Sequence, residues 1–259
     1  MNRIDKRFEY LRENGRKALI PYICAGDDTL QKTEELVYLL EEAGADVIEL
    51  GIPYSDPLAD GPVIQAAALR ALKGGFKIAN FFDTVTNIRK NSQVPLVCMV
   101  YYSSIIGYGK EKFVEGCLGS EIDGLIVPDL PYEEYDELMP LLENTSLYLI
   151  PLVALTSGDR IKMLVENSRG FVYCVSSLGV TGERKSFDAR IDSFIKEVKR
   201  YTDTPACIGF GISTKEDVEK FDKIADGAIV GSAIVRKIHE SKGNLDDVSK
   251  FVKELKGEY

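Results

Sequence analysis

Short apolar runs recur along the chain at 18–25, 45–51, 95–101, 124–128, 147–154, 171–176, 205–210 and 227–230. Several, such as Pro95 to Tyr101 and Gly227 to Gly231, are apolar almost throughout instead of alternating with polar residues. That pattern suits parallel strands buried on both faces. Amphipathic stretches of helical period lie between the runs, among them Thr29–Ala43, Asp188–Arg200 and Ser213–Phe221. Ser213 and Glu216 are spaced as a capping box for the last of these. Eight strand-like runs alternating with helices, without a linker or low-complexity tract, predict a single (β/α)8 TIM barrel spanning 1–259 as one domain. A doubly wound open sheet would call for fewer units and a glycine fingerprint after its first strand; Cys24-Ala25-Gly26-Asp27-Asp28 is not one.

The pattern also predicts elements beyond the plain repeat. Residues 1–14 read as an extra N-terminal helix that closes the barrel floor. The stretch 53–91 is too long for one loop and one helix, so helices are expected at 62–72 and 77–90 after strand 2. A further helix is expected after strand 8, beginning at Ser232.

Composition narrows the class. The chain has 259 residues, of which 45% are hydrophobic, and its net charge of −9 argues against a nucleic-acid partner. Cys24, Cys98, Cys117, Cys174 and Cys207 are scattered and mostly sit within apolar runs. They read as buried thiols of a reducing, cytoplasmic compartment, not as a disulfide framework or a metal site. Residues 1–15 are charged and do not resemble a signal peptide, and no apolar run approaches the ~20 residues of a membrane span.

Barrel enzymes carry their chemistry at the C-terminal ends of strands and in the loops beyond them. Glu49 stands inside the second run, flanked by Ile48 and Leu50. A carboxylate there either does chemistry after taking up a proton, or lies at the wet end of the strand paired with a lysine. The following loop, from Gly51 to Pro62, carries Asp56 and Asp60 among prolines and glycines. Taken alone, Asp60 fits a helix-start residue as readily as a functional carboxylate. Glycines after the sixth, seventh and eighth strands (Gly179 and Gly182, Gly209 and Gly211, Gly231) suggest a phosphate site, joined by the start of a helix at Ser232. The lone histidine, His239, falls in a C-terminal helix and no strand run holds a lysine. A histidine-bound metal and a Schiff-base lysine are therefore not expected.

The segment Asp46-Val47-Ile48-Glu49-Leu50-Gly51-Ile52-Pro53-Tyr54-Ser55-Asp56-Pro57-Leu58-Ala59-Asp60-Gly61-Pro62 resembles the signature of tryptophan synthase alpha chains. Val127-Pro128-Asp129-Leu130-Pro131, Gly179 to Gly182, Gly209 to Ser213 and Gly231-Ser232-Ala233 continue the resemblance in order and spacing. It implies a lyase that splits indole-3-glycerol phosphate into indole and glyceraldehyde 3-phosphate. Glu49 would be its acid–base, and Asp60 the carboxylate that holds the indole N–H. Tyr22, Ile126, Val153, Tyr173 and Phe210 would line the indole pocket, with Tyr173 also near enough to hydrogen-bond at Glu49. Gly182, Gly211, Gly231 and Ser232 would bind phosphate, and Thr181 would belong to a mobile loop at about 178–190. The implied partner is a beta subunit in an αββα assembly that receives indole. Pyridoxal phosphate would belong to that subunit, and no cofactor is expected in this chain. Ser103-Ser104, Leu155 and Ser177 depart from the family's common residues without removing a catalytic group.

Overall fold

The computed structural model describes residues 2–175, 184–209 and 211–257, those at 184–189 by their backbone alone. Nine parallel strands among these residues form one sheet in the order β5-β4-β3-β2-β1-β9-β8-β7-β6. They are β1 (Ala18–Cys24), β2 (Ile48–Gly51), β3 (Leu96–Met99), β4 (Gly124–Ile126), β5 (Tyr148–Leu149), β6 (Leu152–Ala154), β7 (Val172–Val175), β8 (Ala206–Gly209) and β9 (Gly227–Val230).

β5 and β6 are successive halves of the single run expected at 147–154, interrupted at Pro151. Proline has no N–H to give to a ladder, so it breaks the run. The first half pairs with β4, ending where the Ile150 N–H donates to the Leu125 carbonyl (2.8 Å). The second half pairs with β7, beginning where the Pro151 carbonyl accepts from the Tyr173 N–H (2.9 Å). One stave thus joins both ends of the sheet, and the eight runs close into a TIM-type barrel.

Successive residues of each strand face opposite ways. One set, including Ile20, Val97, Ile126, Ile150, Tyr173 and Ile229, packs together inside the ring. Ile4, Phe8 and Leu11 of helix α1 (Arg3–Glu13) join that cluster, so α1 plugs the floor as expected. The other set, including Ile23, Leu50, Cys98, Leu125 and Cys174, packs outward. There it meets α2 (Leu30–Glu42), α3 (Pro62–Lys73), α4 (Ile78–Arg89) and their successors.

Two helices, α3 and α4, follow β2, as the long 53–91 segment required. Two more, α5 (Tyr102–Tyr108) and α6 (Lys110–Gly119), follow β3 where only one was expected. They are divided at Gly109, whose φ of 96° lies in the left-handed region that favours glycine. Short α7 (Met139–Leu142) and α8 (Ile161–Val165) follow β4 and β6, and α9 (Arg184–Tyr201) follows β7. α10 (Lys215–Phe221) is capped by Thr214 with Asp217, one residue beyond the Ser213–Glu216 box that the spacing suggested. After β9 come α11 (Ser232–Glu240) and α12 (Leu245–Lys256).

The floor is tied together by buried charge. Asp46, just before β2, is fully buried; it accepts from the Leu19 N–H (2.7 Å), pairs with Arg7 of α1 (2.7 Å) and with Lys256 of α12. One carboxylate thus joins the first helix, the first strand and the last helix. Asp46→Ala leaves the largely buried Lys256 ammonium without its carboxylate, holding only the Lys17 carbonyl among the described residues. Its expected cost is about 3–5 kcal/mol of folding stability, measurable by urea unfolding. A loss below ~1 kcal/mol would mean that the floor is held by apolar packing alone.

Candidate active site

At the upper end of the barrel, β2 presents Glu49 to the lumen. Its register partners are Tyr22 on β1 and Val97 on β3. Glu49 is fully buried, and neither side-chain oxygen has a hydrogen-bond partner among the described residues. The lysine that the structural alternative called for is not there, and the hydrogen bond expected from Tyr173 is not formed. Burial, reinforced by the nearby charge of Asp60, raises the Glu49 pKa to about 8, so the group carries its proton at neutral pH.

Two tyrosines flank it, and each lies over a glycine of the neighbouring strand. A Cβ added at Gly51 would fall 2.1 Å from the Tyr22 hydroxyl oxygen, and one at Gly209 would fall 2.5 Å from Tyr173 Cε1. Only glycine leaves room for these rings. Both tyrosines are buried, and burial pushes both phenols well above their usual range, with the carboxylates Glu49 and Asp60 adding to it.

Asp60 approaches from the loop between β2 and α3. The loop is shaped by the buried Pro57, whose carbonyl accepts from the Asp60 N–H (3.2 Å). α3 starts immediately afterwards, with Gly61 as its cap and Pro62 at its first position. Asp60 is half-buried; burial raises its pKa, and a hydrogen bond from Tyr101 (3.2 Å) opposes the rise. The site therefore holds two carboxyl groups in unlike settings, one fully buried with no hydrogen-bond partner among the described residues, the other half-buried with a donor. Groups so separated can divide acid and ionised roles between them.

At the far side, register pairs Gly209 of β8 with Ile229 of β9. Gly211 and Gly231 each lie two residues beyond that pair, at matching positions on adjacent strand ends. Gly231 is the N-cap of α11, whose first turn begins with Ser232, and Gly211 has φ 79°. Free N–H groups of a helix start beside glycine backbone form an anion-accepting edge.

Comparisons with known proteins identify the family. The family model for the tryptophan synthase alpha chain matches residues 8–259. The tryptophan synthase alpha chain of Thermoanaerobacter sp. (strain X514) is 52% identical over 259 residues, with 99% of each chain covered. The chain belongs to the tryptophan synthase alpha chain family. Among solved structures, the alpha subunit from Legionella pneumophila str. Paris superposes with a TM-score of 0.91 at 34% identity, covering 99% of this chain and 98% of that one. Tryptophan synthase from M. tuberculosis in its aminoacrylate-bound form gives 0.88 at 32% identity, with 99% and 98% covered.

For a tryptophan synthase alpha chain the expected pocket residues are placed unevenly. Tyr22, Ile126 and Tyr173 face the lumen or its rim. Val153 does not: it packs with Cys174 in the outer core, against the helices. Leu152, the register partner of Tyr173, takes the inward position on that strand. Met99, level with Gly51 and Ile126, is a second lumen residue that the sequence did not single out. Tyr101, the donor to Asp60, is a third. Thr181, Gly182 and Phe210 lie outside the described residues, as does Ser177. Asp27, which follows β1, is bound by both nitrogens of the Arg70 fork (2.7 and 2.8 Å) and so fastens α3 to the barrel. His239 is exposed in the last turn of α11.

Proposed function

We propose that Glu49 and Asp60 carry out the retro-aldol cleavage of indole-3-glycerol phosphate. The activity itself is that of the family: tryptophan synthase alpha chains are lyases acting on this substrate, and they assemble with a beta subunit that holds pyridoxal phosphate. The observation that carries the residue assignment is Glu49, a fully buried carboxyl with no hydrogen-bond partner among the described residues, whose pKa is raised to about 8. Such a group is suited to give up and retake one proton within a single turnover.

Protonated Glu49 delivers its proton to the indole carbon that bears the glycerol chain. Ionised Asp60 accepts a hydrogen bond from the indole N–H and stabilises the positive charge that appears on the ring. Glu49, now a carboxylate, takes the proton of the adjacent glycerol hydroxyl. The carbon–carbon bond breaks, its electron pair returns to the ring, and the hydroxyl carbon becomes the aldehyde of glyceraldehyde 3-phosphate. No proton is gained or lost overall. Tyr22, Met99, Ile126, Leu152 and Tyr173 supply the apolar wall for indole, with Phe210 as a further candidate. Gly211, Gly231 and Ser232 hold the phosphate, together with Gly182; Thr181 would close over the substrate.

We further infer that 1–259 acts as one barrel domain in the cytoplasm. Five buried free thiols and the absence, among the described residues, of any helix long and apolar enough to cross a membrane support that reading. Leu58 and Ile106, exposed on the loop after β2 and on α5, support a beta-subunit face at this rim.

The test is indole release from indole-3-glycerol phosphate by the purified chain, alone and with a beta subunit, across pH. Turnover should be weak alone and strongly stimulated by the partner. The kcat/KM profile should fall above pH ~8, where Glu49 of the free enzyme loses its proton. On the acid side it should fall as Asp60 is protonated, at a pH above that of an ordinary aspartate because burial raises it. Full activity in the isolated chain would instead indicate a stand-alone lyase. A profile flat through pH 7–9 would remove Glu49 as the proton donor.

A further inference from the structure

Asp60 is held by Tyr101, just beyond the end of β3, whose neighbour Tyr102 is anchored in turn. Tyr101 is buried (5% exposed), and its hydroxyl lies between two groups of the β2–α3 loop. It accepts from the Ala59 N–H (3.0 Å) and donates to Asp60 Oδ2 (3.2 Å). Its ring stacks on Tyr54 of the same loop, with centroids 4.9 Å apart and planes 20° from parallel. One side chain thus grips the loop at Tyr54, Ala59 and Asp60.

Tyr101 is itself set from the other side. It is the N-cap of α5, and the next residue, Tyr102, donates its N–H to Asp129 Oδ1 (2.7 Å). Asp129 belongs to the Val127-to-Pro131 motif after β4, and no catalytic step described above uses it. Accepting that N–H satisfies one of the free donors at the start of α5 and fixes the backbone that carries Tyr101.

We propose that Tyr101 is a positioning residue for the lyase reaction, orienting Asp60 and keeping it ionised, and that Asp129 acts through Tyr101 by anchoring the start of α5. Tyr101 holds the active loop directly, and Asp129 reaches it only through the backbone of Tyr102. This rests on the catalytic reading of Asp60, and the phenol does not itself transfer a proton. The sign of its effect on Asp60 follows from charge. A hydroxyl donor favours the carboxylate over the acid, so its removal leaves burial unopposed and raises the Asp60 pKa.

Tyr101→Phe keeps the ring on Tyr54 and removes only the hydroxyl. The expected result is a fall in kcat of about 10- to 100-fold with a small change in KM, the scale of one hydrogen bond to a charged group. The acid limb of the kcat profile should move to higher pH. Loss of stability alone would lower the melting temperature without moving that limb. Asp129→Ala, run in parallel, should move the limb in the same direction with a smaller fall in kcat. It decides the matter should Tyr101→Phe not fold. Asp60→Asn serves as the control. If it loses activity while folded Tyr101→Phe keeps both wild-type kcat and its acid limb, the positioning role is overturned and the reading of Asp60 stands. If Asp60→Asn is as active as wild type, both fail.

Discussion

Glu49→Gln is expected to reduce turnover by about 10²- to 10⁴-fold, the usual contribution of a general acid–base, and at the same time to stabilise the fold at alkaline pH. The two effects have one cause. Glu49 is fully buried with no hydrogen-bond partner among the described residues, and its pKa rises from 4.5 to about 8. In the unfolded chain the same carboxyl ionises near its ordinary value. Between these two points folding must put a proton back on Glu49, so its contribution to stability is fully present below pH ~4.5. That contribution is lost progressively as pH rises toward 8. The shift corresponds to a few kcal/mol as an upper bound. Glutamine copies the shape of the protonated acid and cannot ionise. The stability advantage of the variant should therefore be near zero at pH 4–5, grow through neutrality and level off above pH 8. Urea unfolding of both proteins at pH 5, 7 and 9 measures it. A difference that stays constant with pH would mean that Glu49 ionises freely in the folded state, and the mechanism would lose its proton donor.

Glu49 was legible in the sequence for the same reason that it is reactive: a charge inside an apolar strand contradicts its surroundings. The barrel was legible too, because strands buried on both faces are apolar throughout and recur with helices between them. That same uniformity hid which residues face inward. Where a strand alternates apolar and polar residues, the pattern shows its two faces; where both faces are buried it does not. Leu152 and Val153 are alike in the sequence, yet one lines the lumen and the other meets the helices. Register settles the matter, since Leu152 lies level with Tyr173. Tyr101 was hidden for a different reason. Tyrosine at the end of a strand is ordinary, and its importance depends on a loop more than 40 positions earlier folding back onto it. The break at Pro151 was visible as a residue, but its consequence, one stave serving both edges of the sheet, depends on ring closure. The second helix after β3 was masked by a short, glycine-divided segment with weak periodicity.

Gly209→Ala should damage the active site through Tyr173, and shortening Tyr173 should relieve the damage. The new Cβ would stand 2.5 Å from both Cε1 and the hydroxyl oxygen of Tyr173, a separation that real side chains do not tolerate. The glycine backbone belongs to a central strand paired on both sides, so the tyrosine ring must move. The ring packs in the lumen cluster, so its displacement disturbs the lumen, where indole would bind. Overpacking of this kind typically costs about 1–3 kcal/mol; exerted on the bound state, that is roughly a 5- to 150-fold loss of kcat/KM. Tyr173→Leu alone should also impair the enzyme, by removing wall from the pocket. Together the changes should be much less harmful than the product of their separate effects, because leucine leaves room for the added methyl group. The four-cornered cycle of kcat/KM values gives the coupling directly, and contacting residues commonly show 0.5–3 kcal/mol of it. Strict additivity would place the Tyr173 ring elsewhere. Gly211 supplies the contrast. An added Cβ there meets nothing within 4 Å among the described residues, but φ is 79°, so Gly211→Ala strains the backbone itself and should gain nothing from any change at Tyr173.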